Sequence, residues 1–278
     1  MTANSMSPLF RVLRPAASVL FAFATLAACQ TQLDSKLTGE PGHRVEFVDA
    51  GTGRTTVVFE SGFQNDWTPW DDVASEVARK TRVFAYSRPG FGDSDRTSTP
   101  RDPSHIVEDL RALLASRGIA PPYVLVGHSF GGTYMELLAK AYPDEVAGLV
   151  LVDPRHRDFT PVCEEANIGG CSIPADVVAG LPAPDRAEFA GFASASEEIR
   201  AAGPFGSYPV RVLTATAHSA SRPWEDLWKS LLGELADEAE DGEQVVFSGA
   251  GHYLQIEKSH RVAAIILELV SSVPAEAP

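Results

Sequence analysis

A serine flanked by glycines is the first group in this chain that could do chemistry. Gly127-His128-Ser129-Phe130-Gly131-Gly132 follows the apolar run Tyr123-Val124-Leu125-Val126 and precedes a helical pattern. A buried strand, a sharp turn and a helix in that order would present the Ser129 hydroxyl at a helix N-terminus, where the dipole favours developing negative charge. Gly127 and Gly131 suit so tight a turn because side chains there would clash. A serine hydroxyl is a poor nucleophile until a base removes its proton. Of the seven histidines, His252 is placed to be that base, in Ser248-Gly249-Ala250-Gly251-His252 directly after the last strand-like run. That is a loop at the carboxyl end of the sheet, where ligands of such folds bind. His128, next to Ser129, is expected to point away across the turn.

An imidazole acting as base needs an acid to fix its tautomer and stabilise the imidazolium. Asp153 ends the run Leu149-Val150-Leu151-Val152 and so belongs to the same sheet edge. The next strand, Val210-Arg211-Val212-Leu213, is followed by Thr214-Ala215-Thr216-Ala217-His218 with no acid, and Glu225 and Asp226 come only later, at a helix start. Asp153 is therefore the choice, with the later pair as alternatives. Two backbone N–H groups would have to hold the oxyanion. Phe130, after the nucleophile, supplies one. Phe63, in Glu60-Ser61-Gly62-Phe63 after another strand, supplies the other, with Gly62 allowing close approach. Trp67 and Trp70 nearby could wall an acyl pocket, although aromatic residues at a helix start more often belong to the core.

The elements that must position these groups alternate. Strand-like runs occupy 44–48, 56–60, 82–86, 123–127, 147–152, 210–214 and 244–247, and helical patterns fill 69–80, 103–117, 130–142, 224–235 and 258–272. The later strands are nearly continuous apolar runs, as in strands buried on both faces. The reading is an α/β fold: a mostly parallel central sheet with helices on both faces. Residues 154–208 break the rhythm. They hold Cys163, Cys171, a Pro-rich joint and an amphipathic stretch, 185–201, with Phe189, Phe192 and Ile199 at helical spacing. This segment is expected to be a lid inserted between the last strands.

The ends and the bulk properties add context. Arg11 and Arg14 precede an apolar stretch, 16–28, that ends Leu26-Ala27-Ala28-Cys29. A basic start, a short apolar run and small residues describe a secretory signal. The ending resembles the lipobox of bacterial lipoproteins, which implies cleavage before Cys29, a lipid on its thiol, and a membrane partner through that anchor. Residues 1–28 are then the signal, 29–42 a polar tether and 43–278 the folded domain, facing the periplasm or exterior of a bacterial envelope. In an exported chain Cys163 and Cys171 are expected to form a disulfide. A formal net charge of −14 argues against nucleic acid as a partner. No histidine cluster accompanies the cysteines, and neither a metal nor an organic cofactor is expected.

Taken together, residues from about 43 to 272 resemble the α/β-hydrolase superfamily, in its branch of bacterial serine esterases. The resemblance rests on Val58-Phe59-Glu60-Ser61-Gly62, Tyr86-Ser87-Arg88-Pro89-Gly90-Phe91-Gly92-Asp93-Ser94, the turn at Ser129, and Gly249-Ala250-Gly251-His252. It implies hydrolysis of a small-molecule carboxylic ester through Ser129, His252 and Asp153. It departs from the family's pattern at Ser61, where a histidine is common, at Ser87, where an aspartate is usual, and in the empty acid position after the next-to-last strand. Serine at the elbow disfavours epoxide hydrolase and dehalogenase chemistry, which in this superfamily resembles an aspartate-nucleophile mechanism. Two other readings stand beside it. A proline-type aminopeptidase would need lid acids such as Glu164, Glu165 and Glu188 to hold a substrate amine. A non-catalytic envelope binding protein would leave Ser129 inert.

Overall fold

The computed structural model describes residues 33–273. Cys29 and the signal segment lie outside the described residues. The strands are β1 (Lys36–Thr38), β2 (Val45–Ala50), β3 (Thr56–Glu60), β4 (Arg82–Tyr86), β5 (Tyr123–His128), β6 (Val146–Val152), β7 (Val210–Ala215) and β8 (Gly242–Phe247). The helices are α1 (Asp71–Ala78), α2 (Pro103–Ser116), α3 (Phe130–Ala141), α4 (Phe159–Glu165), α5 (Ala175–Gly180), α6 (Ala183–Gly191), α7 (Ala195–Ala202), α8 (Arg222–Asp237), α9 (Leu254–Glu257) and α10 (Ser259–Ser272). One sheet holds all eight strands in the order β1-β2-β4-β3-β5-β6-β7-β8. The first two joints are antiparallel and the rest are parallel.

Strand alternation divides the core in two. Val58 and Leu125 face one side, packed with Leu110 of α2, Met135 of α3 and Leu232 of α8. Val57, Phe59, Val124 and Val126 face the other, packed with Val73 and Val77 of α1 and Val262 and Ile266 of α10. Side chains that point to opposite faces at successive positions need apolar residues at every position when both faces are covered. That is why β3 and β5 read as unbroken apolar runs and are buried throughout. Each fully buried Val, Ile or Leu contributes about 1.5–3 kcal/mol.

One feature departs from the sequence reading and another decides between its alternatives. Lys36–Thr38, inside the segment expected to be a tether, pairs antiparallel with β2 as an edge strand. Edge pairing uses backbone groups and does not require an apolar pattern. Trp67 and Trp70 take the core place rather than the pocket wall. Both are buried: Trp70 lies 5.1 Å from the Phe59 ring, and Trp67 Nε1 donates to Glu46 Oε1 at 3.2 Å. Residues 154–208 connect β6 to β7 and fold as four short helices, α4 to α7. The Cys163–Cys171 disulfide, expected from the cysteine count, closes a loop after α4.

Candidate active site

Register places the chemistry. His128 of β5 is level with Val152 of β6, and Val152 is level with Leu213 of β7. Ser129 and Asp153 therefore each leave their strand at the same height, on adjacent strands. Ser129 N donates to Val152 O at 3.3 Å, and Asp153 N to Leu213 O at 2.7 Å. Both residues have positive φ, 53° at Ser129 and 45° at Asp153. Such backbone costs a non-glycine residue about 1–3 kcal/mol and persists only where surrounding bonds enforce it. Here Gly132 N and Arg155 N both donate to Ser129 O at 3.0 Å. A Cβ on Gly127 would come within 2.5 Å of Gly131 O, and one on Gly131 would strike Ser61 O. The turn has no room for either.

Asp153 is fully buried and all its acceptor capacity is engaged. Oδ1 accepts from Ala215 N and Trp228 Nε1, both at 2.9 Å. Oδ2 faces two imidazoles, His252 Nδ1 at 2.6 Å and His218 Nε2 at 2.7 Å. Burial pushes the Asp153 carboxyl up, but bonds from His218 and His252 outweigh it and hold the carboxyl well below the usual range. His218 in turn faces Glu225, whose Oε2 lies 2.7 Å from Nδ1 and whose Oε1 accepts the His218 backbone N–H at 2.7 Å. Burial lowers the His218 pKa, yet the flanking carboxylates prevail and raise it. Glu225, read from the sequence as the alternative acid, sits one imidazole behind Asp153. His218 was not singled out from the sequence. A histidine three residues past a strand that ends beside Asp153 was the available signal.

His252 Nε2, the nitrogen turned from Asp153, has no hydrogen bond to Ser129 among the described residues. Catalytic contacts of unliganded sites are often loose and tighten with substrate. His128 lies behind the pair, 4.6 Å from the His252 ring, with its Nε2 3.0 Å from His252 O. Burial, reinforced by His252, lowers its pKa to about 3. It is neutral, so Nε2–H donates to that carbonyl and steadies the His252 loop. Among the described residues neither Phe63 N nor Phe130 N has an acceptor. A Cβ on Gly62 would lie 2.8 Å from His128 Nδ1 and 3.2 Å from Ser129 Cβ, so the loop carrying Phe63 rests directly on the Ser129 turn.

Arg88 fixes that loop from behind. Nη1 donates to Ser61 O at 2.6 Å and to Glu60 Oε1 at 2.7 Å. Nη2 donates to Gly62 O at 2.8 Å and to Glu188 Oε1 at 2.7 Å, while Nε reaches Glu188 Oε2 at 2.9 Å. Glu188 belongs to α6, and neither it nor Arg88 is exposed beyond 1%.

These groups border a cavity of about 790 Å³. Its walls include Ser129, His252, His218 and Trp228, with Phe189 and Phe192 from the β6–β7 connection. Ile199, expected on the same apolar stripe, is instead 1% exposed in the core. Glu164 and Glu165 are exposed and Glu188 is spent on Arg88, so none of the acids that an amine-binding reading needs lines the cavity. Asp153, His218 and His252 bring candidate metal-ligand atoms within 4.8 Å of one another. Their contacts of 2.6 and 2.7 Å are hydrogen bonds, which a cation would have to displace.

The eight-stranded sheet, its strand order and the site at its carboxyl edge define the α/β-hydrolase fold. A family model described as alpha/beta hydrolase fold matches residues 55–170. Among solved structures the chain is similar to the epoxide hydrolase CorEH, with a TM-score of 0.64 and 18% identity over 87% of this chain and 100% of that one. It is also similar to a thermophilic esterase from Thermogutta terrifontis, with a TM-score of 0.59 and 24% identity over 86% of this chain and 99% of that one. Among curated sequences it is 31% identical over 118 residues to the uncharacterized protein YqjL of Bacillus subtilis, which is 41% of this chain and 47% of that protein. The chain spans less than half the length of the curated relatives it matches first.

Proposed function

We propose that the protein is a serine hydrolase that cleaves a carboxylic ester. The observation that carries this reading is the strained Ser129 turn set level with an Asp153 carboxylate that grips His252 Nδ1 at 2.6 Å. Ser129 Oγ attacks the acyl carbon while His252 Nε2 takes its proton. Phe63 and Phe130 N–H groups hold the oxyanion. The intermediate collapses, the proton passes to the leaving alkoxide, and an acyl-enzyme remains. Water, deprotonated by His252, then releases the acid and restores Ser129. Opening an epoxide at Ser129 would leave an alkyl ether with no carbonyl for water to attack, so serine favours acyl chemistry. The β6–β7 connection serves as a lid. Cys29 carries the lipid that places the enzyme at a bacterial envelope, and a fatty-acid analogue should label wild type and not Cys29→Ser.

The test is direct. A fluorophosphonate probe should label wild type but not Ser129→Ala, and 4-nitrophenyl acyl esters should be turned over only by wild type. A folded Ser129→Ala that keeps more than a trace of activity overturns the assignment. Failure of both the probe and the esters on wild type would return the chain to the non-catalytic reading.

A further inference from the structure

Charge around the cavity runs against the charge of the chain. The sequence carries −14. Yet the cavity is lined by Arg155, Arg157, His128, His218 and His252, and by no Asp or Glu among the described residues. These side chains differ in what already holds them. Arg157 is paired with Glu136 and Glu238. His218 and His252 share Asp153.

Arg155 has no carboxylate partner among the described residues. Its Nη2 donates to Thr160 Oγ1 at 2.6 Å and to Cys171 O at 2.7 Å. Its Nε and Nη1 N–H groups have no acceptor there. Aromatic rings give partial compensation: Phe159 lies 4.6 Å and Trp228 5.9 Å from the guanidinium carbon. Burial alone pulls the Arg155 pKa down, to about 10, so it stays charged at neutral pH. Its position relative to the nucleophile is fixed from both ends of its backbone. Arg155 N donates to Ser129 O at 3.0 Å, and Arg155 O accepts from Thr133 Oγ1 at 2.6 Å. The loop closed by Cys163–Cys171 supplies the carbonyl that orients the head group.

A held, desolvated cation with open donors is costly unless something arrives to neutralise it. Resting on the ester-hydrolase reading above, we propose that Arg155 binds a carboxylate carried by the substrate, so that the preferred substrate is a half-ester of a dicarboxylic acid. One uncompensated positive charge balances one carboxylate. A phosphate dianion would leave net negative charge among the aromatic walls.

The experiment compares 4-nitrophenyl half-esters of adipic to suberic acid with neutral isosteres in which an isopropyl group replaces the carboxylate, on the full chain in detergent. In wild type kcat/KM should favour the acid at the best chain length by about 10–100-fold, the scale of a charge-assisted bond. Arg155→Met should bring that ratio to about one, and Arg155→Lys should restore part of it. Should Arg155→Met not fold, inhibition of wild type by adipic acid monoamide against adipamide reads the same preference, and equal inhibition counts against the proposal. A wild-type ratio at or below one at every length, with neutral esters turned over, overturns the carboxylate site and leaves the hydrolase intact. No turnover of either series and no fluorophosphonate labelling overturns the hydrolase and this proposal with it.

Discussion

Replacing Asp153 by asparagine tests the core of the reasoning, because the structure dictates how the new amide must sit. Oδ1 accepts two buried N–H groups, from Ala215 and Trp228. The amide oxygen has to stay there, since turning it away would set an NH2 against both donors. The amide nitrogen then takes the place of Oδ2 and points its hydrogens at His252 Nδ1 and His218 Nε2. His252 can answer only by giving up its Nδ1 proton, which moves the proton to Nε2 and removes the base. His218 loses one of the two anions that keep it charged. Two charge-assisted bonds at about 1.5–3 kcal/mol each set the scale. A fall in kcat of about 10³–10⁴-fold is expected, or about 4–5.5 kcal/mol of barrier at 1.36 kcal/mol per tenfold. Burst kinetics on a 4-nitrophenyl ester should show the acylation phase slowed, with a thermal scan confirming that the variant is folded. Glu225→Gln, three hydrogen bonds from His252, keeps an acceptor for the His218 backbone and should cost less than about tenfold. A folded Asp153→Asn with a tenth or more of wild-type kcat, or an equal loss in Glu225→Gln, would refute the argument.

His218 is raised in pKa by the two carboxylates it faces, so its stabilising contribution is complete below about pH 6.5 and fades as pH rises through the raised folded value. The Tm gap between wild type and His218→Gln should therefore shrink from pH 6 to 9, and a gap that widens would be contrary evidence. Arg88→Met strands Glu60 and Glu188 without their counter-ion and should cost about 3–5 kcal/mol in urea unfolding. A loss under about 1 kcal/mol, the scale of an exposed pair, would show the network is not desolvated. Replacing Cys163 and Cys171 by alanine should cost about 2–3 kcal/mol by chain entropy. Alkylation of the unreduced native protein should modify neither cysteine, and labelling of both would deny the bridge.

What the sequence disclosed was what is local. Ser129 and His252 announce themselves because glycines mark the turns and apolar runs mark the strands before them. Asp153 follows from the same logic, as the residue after a buried strand. Glu225 and His218 needed the fold: their link to Asp153 depends on β7 lying beside β6 and on α8 turning back over it. Trp67 and Trp70 stayed open between two places because aromatic residues near a loop fit a pocket wall as well as a core until packing decides. Lys36–Thr38 gave no signal, since an edge strand satisfies its backbone without an apolar face. Arg155 reads as one arginine among many until every neighbouring acid is seen to be engaged elsewhere.

Arg88 has a consequence for traffic. Its guanidinium joins the loop at Ser61 and Gly62 to Glu188 of α6, so the loop and that helix shift together or not at all. Swinging α6 outward to admit a molecule would drag the loop that carries Phe63 out of place and open a buried cluster of three charges to water. A route in and out that leaves the Arg88 cluster intact would run through a wall that is not tied to it. That wall is next to α5, which buries none of its residues and follows Ile173, a cavity residue that is 36% exposed. If molecules pass beside Ile173, substitutions there would alter which of them reach Ser129 while the rate for those that pass stays the same.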